Sequence, residues 1–150
     1  MILANTIKKA SRVLKKYSIT THELDAQIIL SDIMGIKRES LISNDQINIS
    51  KNILKKYNFA IKRRTKREPV AYITGKKEFW SVNFEVNRST LVPRPETEIL
   101  IYKIVSLLKN KKVNILDIGT GSGCILLSIL KELKCSTGMG IDISKKAIET

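Results

Sequence analysis

The first seventy positions place apolar side chains at the spacing of helices. Ile2, Leu3, Ile7, Ala10, Val13 and Leu14 recur at intervals of three and four with basic residues opposite, which predicts an amphipathic helix. Thr20 followed by Glu23 has the form of a capping box. It predicts a second helix through Leu24, Ile28, Ile29 and Ile33, stopped by Gly35. A turn is expected at Arg38–Ser43. Ser50 can then cap a longer helix through Ile53, Leu54, Tyr57, Ala60 and Ile61, which runs into the segment KRRTKREP and ends because Pro69 disfavours helix at Glu68.

From Val70 the texture changes. Val70–Thr74, Phe79–Val82 and Phe84–Val86 are short, aromatic and β-branched, and read as strands around a turn at Gly75, Lys76 and Lys77. LVPRPETEIL follows, with two prolines holding an extended segment before a helix from about Glu96 to Leu108. Glu96 and Glu98 fall in that helix's first turn, where carboxylates meet the positive end of the helix dipole. After a turn at Asn110–Lys112, Val113–Ile118 reads as a strand, Ser122–Leu133 as a helix and Gly138–Ile143 as a second strand. Ser144 then opens another helix. Strand, glycine loop, helix, strand is a βαβ unit, whose strands should be parallel. The expected fold class is therefore α/β: a helical bundle at residues 1–69, a hairpin linker at 70–94 and the start of a nucleotide-type domain at 95–150.

Composition narrows the function classes. The chain has 150 residues, 43% hydrophobic and 27% charged, which is globular and argues against disorder. No apolar run of about 18 residues occurs, so no membrane-spanning helix is predicted. The N-terminus lacks the uninterrupted apolar stretch and small-residue cleavage site of a signal peptide, so a cytoplasmic location is the expectation. Cys124 and Cys135 have no metal-ligand spacing, and His22 is the single histidine. A His-based triad or a multi-histidine zinc site is thus excluded within this chain, and no metal is expected.

The net charge of +13 is uneven: residues 1–75 hold 15 basic and 6 acidic side chains, or +9, and the remainder +4. A basic front half suits an anionic partner such as RNA or the ribosome. The count of 20 Lys against 7 Arg, with 23 Ile, equally fits a genome-wide compositional bias. For KRRTKR the plain explanation is a solvated face whose cations complement a helix C-terminus.

The most informative stretch is Asp117-Ile118-Gly119-Thr120-Gly121-Ser122-Gly123. Glycines at the carboxyl end of a strand let the backbone turn sharply and let a ligand approach the main chain. The following helix aims free N–H groups into the loop. Asp142 ends the next strand, where a carboxylate can accept hydrogen bonds from two ribose hydroxyls. These features imply an adenosine-type ligand. A dinucleotide fingerprint would need its third glycine at position 124, which is Cys124, and Asp117 would repel a pyrophosphate.

The G-x-G-x-G run behind an acidic residue is similar to the first motif of class I (Rossmann-like) S-adenosylmethionine-dependent methyltransferases. The segment from Glu68 to Leu100, EPVAYITGKKEFWSVNFEVNRSTLVPRPETEIL, resembles the signature that precedes the cofactor domain in peptide chain release factor N5-glutamine methyltransferases, the PrmC/HemK family. That resemblance covers nearly all of the chain, and P-R-P-E-T-E is its most specific part. It implies methyl transfer to the side-chain amide of the glutamine in the Gly-Gly-Gln motif of bacterial-type release factors. It implies S-adenosylmethionine contacts from Asp117, Gly119, Thr120, Gly121, Ser122, Gly123 and Asp142. Arg94, Glu96 and Thr97 would lie on the wall of the cofactor and glutamine pocket. The helical domain would recognise substrate.

The family's Asn-Pro-Pro-Tyr motif, which seats the glutamine, does not occur among these residues; Pro69, Pro93 and Pro95 are the only prolines. No catalytic residue is therefore assigned. The chain is expected to represent the first half of such an enzyme, to expose the apolar faces of Val113–Ile118 and Ile141–Ile143, to aggregate, and to lack glutamine methylation alone. Three alternatives stay open. These are a non-catalytic module binding release factor or ribosome, a nucleic-acid adenine methyltransferase, and part of a fusion with a tRNA methyltransferase.

Overall fold

The computed structural model describes residues 2–43 and 46–150. It is an α/β chain of two compact units, Met1–Thr74 and Gly75–Thr150.

The first unit is helical: α1 (Leu3–Lys16), α2 (His22–Met34), α3 (Arg38–Ser43), α4 (Lys51–Thr65) and α5 (Val70–Thr74). Its core is built where the apolar stripes of α1, α2 and α4 meet, from Leu3, Ala10, Leu14, Ala26, Ile29, Leu30, Tyr57, Ala60 and Ile61. Tyr57 is 1% exposed and donates its hydroxyl to the Ala26 carbonyl at 3.0 Å, so its one polar atom is satisfied. Ser50 caps α4 by accepting from the Ile53 amide at 3.3 Å, and Gly35 ends α2 in a left-handed conformation, φ 67°.

The expected capping box at Thr20 and Glu23 does not form. Thr21 is the N-cap, and its hydroxyl donates to the Asp25 carboxylate at 2.9 Å. Arg38–Ser43, expected as a turn, is the short helix α3. The KRRTKR run is only partly a solvated face. Arg64 binds the buried Asp25 carboxylate at 2.8 Å. Arg63 forms a two-pronged pair with Glu68 at 2.7 and 2.9 Å and also reaches the Tyr72 carbonyl. These arginines tie α4 to α2 and α5.

Val70–Thr74, expected as a strand, is helical. The Pro69 carbonyl accepts from the amides of Tyr72 and Ile73, and Val70 and Ile73 pack on the helical core at a spacing of three. A five-residue apolar run carries no decisive period, and here packing selected the helix.

The second unit opens with an antiparallel hairpin of β1 (Lys76–Phe79) and β2 (Val82–Glu85), with Phe79 opposite Val82. The expected turn at Gly75–Lys77 is thus displaced: Lys76 and Lys77 lie in β1, and Trp80 and Ser81 turn the chain with φ of 50° and 54°. Both central residues with positive φ match the twist of a two-residue hairpin, normally the province of Asn and Gly. Glu98 accepts the Trp80 amide at 2.9 Å, and Glu132 accepts its indole N–H at 2.8 Å, which holds this strained turn.

A 3-10 turn at Pro95–Thr97 leads into α6 (Glu98–Leu108). β3 (Asn114–Ile118), α7 (Cys124–Glu132), β4 (Thr137–Ile141) and α8 (Lys145–Ile148) follow. β3 and β4 are parallel, with Leu116 opposite Met139 and Ile118 opposite Ile141. Hairpin, α6, α7 and the inner face of β3 share a core of Phe79, Phe84, Ile101, Cys124, Ile129 and Leu133, against which Ile115 packs. Phe79 and Phe84 meet edge to face, with ring centroids 6.3 Å apart. The outer sheet face is open: Leu116, Ile118, Met139 and Ile141 are exposed.

Candidate functional site: the glycine loop after β3

The chain leaves β3 at Ile118 and turns through Gly119, Gly121 and Gly123, all with positive φ (79°, 56° and 73°). At Gly119 and Gly121 a Cβ would meet nothing within 4 Å, so it is the backbone conformation that calls for glycine there, and the space over the main chain is open. The amides of Gly119 and Thr120 both donate to the Ile141 carbonyl, at 2.8 and 3.0 Å, which staples the loop to the end of β4. Gly123, expected inside the helix, is instead the N-cap of α7.

Two carboxylates flank this loop. Asp117 accepts the Thr120 hydroxyl at 2.8 Å. Asp142 accepts the Gly121 amide on one oxygen at 2.9 Å and the Ser144 amide on the other at 2.8 Å. Those two N–H groups, Ser144 first, hold the Asp142 carboxyl below the usual aspartate range. Each oxygen keeps a second lone pair, so Asp142 can still accept two hydroxyl donors. Ser122 Oγ is buried, and the group it approaches is the Cys124 thiol, a weak acceptor; it makes no hydrogen bond of good geometry among the described residues. Burial pushes the neighbouring Cys124 thiol up, keeping it a protonated core group.

The loop residues Asp117, Thr120, Gly121 and Asp142 are thus joined by hydrogen bonds. Arg94, Glu96 and Thr97 lie apart in sequence, on the 3-10 turn and the residue before it. Arg94 and Glu96 are exposed, and among the described residues no hydrogen bond or ion pair joins the three to the loop. Sequence reasoning assigned Glu98 to helix capping alone, whereas its carboxylate holds the hairpin turn at Trp80. The sequence places Ser144 at the start of a helix. It does cap α8, accepting from Ala147, and its own amide orients Asp142; the D-x-S spacing was the available signal. A groove of about 950 Å³ in this unit, lined by Trp80, Tyr102, Lys109, Glu132, Lys134 and Cys135 among others, contains none of the loop residues. Among the described residues no cluster of His, Cys, Asp and Glu could hold a metal ion. No described helix is long and apolar enough to cross a membrane.

Comparison with known proteins adds a separate line. Residues 5–75 match the family model of the PrmC N-terminal domain. The chain is 43% identical over 150 residues to release factor glutamine methyltransferase of Buchnera aphidicola subsp. Baizongia pistaciae, covering 99% of this chain and 53% of that protein. It is 41% identical over 143 residues to the protein of the same name from Buchnera aphidicola subsp. Schizaphis graminum, covering 95% and 51%. The Caulobacter vibrioides protein of that name is 35% identical over 136 residues, covering 90% and 47%. The chain spans about half the length of these relatives. These matches make the chain similar to the N-terminal part of release factor glutamine methyltransferases.

Proposed function

We propose that this chain supplies the substrate-recognition domain and the methyl-donor loop of a methyltransferase acting on the Gly-Gly-Gln glutamine of bacterial-type release factors in the cytoplasm. In this reading the helical unit, Met1–Thr74, recognises the release factor, and the hairpin of β1 and β2 opens the second unit. Residues 95–150 begin a class I, Rossmann-like domain whose first βαβ unit is β3, α7 and β4. The observation that carries it is the Asp142 carboxylate, oriented by the Gly121 and Ser144 amides beside an open glycine turn.

The residues present fit S-adenosylmethionine. Asp142 would accept the ribose hydroxyls. Gly119 and Gly121 leave room for close approach to the main chain, with Thr120 beside them and Ser122 and Gly123 completing the turn into α7. Asp117, steadied by Thr120, would face the donor's amino group directly or through water. When bound, the cofactor supplies an electrophilic methyl on sulfonium. An amide nitrogen is a poor nucleophile, so rate depends on alignment in a preorganised pocket. Arg94, Glu96 and Thr97 would wall that pocket.

The test is titration of the chain with S-adenosylmethionine and, separately, with NAD, followed by the amide resonances of Gly119, Gly121 and Ser144. Saturable shifts with the first compound and none with the second are expected, together with no methyl transfer to a Gly-Gly-Gln peptide by this chain alone. Preference for NAD, or turnover by the chain alone, would overturn the reading.

A further inference from the structure

The helical unit is segregated by charge. Helices α1 and α4 together carry eleven Lys and Arg side chains and no carboxylate. The acids Glu23, Asp25 and Asp32 lie on α2, Glu39 on α3 and Glu68 beyond α4. Arg63 and Arg64 of α4 are committed to Glu68 and Asp25. On α1, Lys8, Lys9, Arg12, Lys15 and Lys16 are all exposed, and among the described residues none meets a carboxylate. Five like charges on one helix repel one another without a counter-charge. The opposite face, Leu3, Ala10 and Leu14, is locked in the core, so the cations stand on a rigid rod.

We propose that the outward face of α1 docks on the phosphate backbone of folded RNA, independently of base sequence. Lys8, Arg12 and Lys16 recur every four residues, about 6 Å apart along the axis, a step comparable with that between neighbouring phosphates of one strand. A shallow groove of about 440 Å³ runs along Asn5, Lys8, Lys9, Arg12, Val13 and Lys16. Protein interfaces centre on buried aromatic or aliphatic anchors. Within α1 no large hydrophobic side chain is exposed, and Tyr17, 57% exposed, stands only at its C-cap beyond the row of cations, so the row suits a repeating polar anion better than an acidic protein. The same lack argues against insertion into a lipid surface. Asn5 adds an amide that can pair with a 2′-hydroxyl, and the wide, shallow minor groove of an RNA duplex admits such contacts. The proposal does not rest on the methyl-transfer reading.

Binding of the chain to a fluorescent RNA hairpin, followed by anisotropy over a salt series, tests it. The triple variant Lys8→Gln, Arg12→Gln, Lys16→Gln should bind about tenfold more weakly and lower the slope of log K against log salt by about 2 to 3. The variant Lys109→Gln, Lys111→Gln, Lys112→Gln removes the same charge from exposed lysines of the other unit and should bind almost as the parent does. A DNA duplex of the same sequence should bind more weakly than RNA. Equal losses in the two variants would reduce the effect to net charge and overturn the proposal. So would DNA binding as tight as RNA, or displacement of RNA by polyglutamate at equal charge. If the triple variant loses helical circular dichroism, Arg12→Glu alone is read by the same criteria.

Discussion

The two units solve the burial problem differently. In the helical unit α1, α2 and α4 face one another, and each apolar stripe is covered by its neighbours; Leu3, Leu14, Ala26, Ile29 and Leu30 are fully buried. Asp25, the one buried carboxylate among the described residues of that unit, meets Thr21 and Arg64. In the second unit the sheet is covered on one side only. Leu116, Ile118, Met139 and Ile141 form an open face, and Ile143 beyond β4 is also fully exposed. Helices joined by short loops close a core locally. A two-stranded parallel sheet leaves a face and edges uncovered, and is marginal by itself. The first unit should therefore fold cooperatively in its own right, and the second should depend on what covers its sheet.

The contrast can be broken in three ways. The largest effect is expected from Asp25→Ala, which takes the carboxylate from the Arg64 guanidinium, 17% exposed, and leaves it the Glu68 carbonyl at 3.2 Å. Breaking such a pair costs about 3 to 5 kcal/mol. In urea, helical circular dichroism should melt earlier while the fluorescence of Trp80, the single tryptophan and a member of the second unit, keeps its midpoint. If both transitions shift together, the units are not independent.

A smaller, local effect is expected from pH. Asp142 has a lowered native pKa, so its contribution to loop order is complete above the ordinary aspartate value of about 3.9 and is lost as pH falls through the lowered native value. The Gly121 and Ser144 amide resonances should follow that titration, and Asp142→Asn should abolish it. The smallest effect is expected on the open sheet face. Leu116→Lys with Met139→Lys should move the Trp80 midpoint by no more than about 0.5 kcal/mol while reducing light scattering from self-association. A loss of about 2 kcal/mol or more would mean that this face is buried in solution.

Caps, stops and periods were legible from the residues because they are local. Ser50 and Ser144 accept from amides three positions on, Gly35 takes the left-handed stop, and the run from Val113 to Ile143 alternates strand, loop, helix and strand. At the candidate site the glycine loop and the acid ending β4 could be placed in sequence.

The illegible parts each depended on a partner far along the chain. Val70–Thr74 is helical because Val70 and Ile73 find the bundle core. Trp80 and Ser81 turn the hairpin without glycine because Glu98 and Glu132, 18 and 52 positions away, hold Trp80. Arg64 is a core clamp because α4 lies along α2 and brings it to Asp25, 39 positions back.

The residues alone therefore determined where helices and strands begin and end wherever a backbone conformation or a neighbouring side chain decides the matter. They also determined that the front half is strongly basic. Tertiary structure alone decided which of those cations are neutralised and which stay free on α1, that Asp142 reaches back to the Gly121 amide, and that one face of the sheet is left open. A charge, a carboxylate or an apolar face acquires its role only from what packing brings within a few ångströms of it.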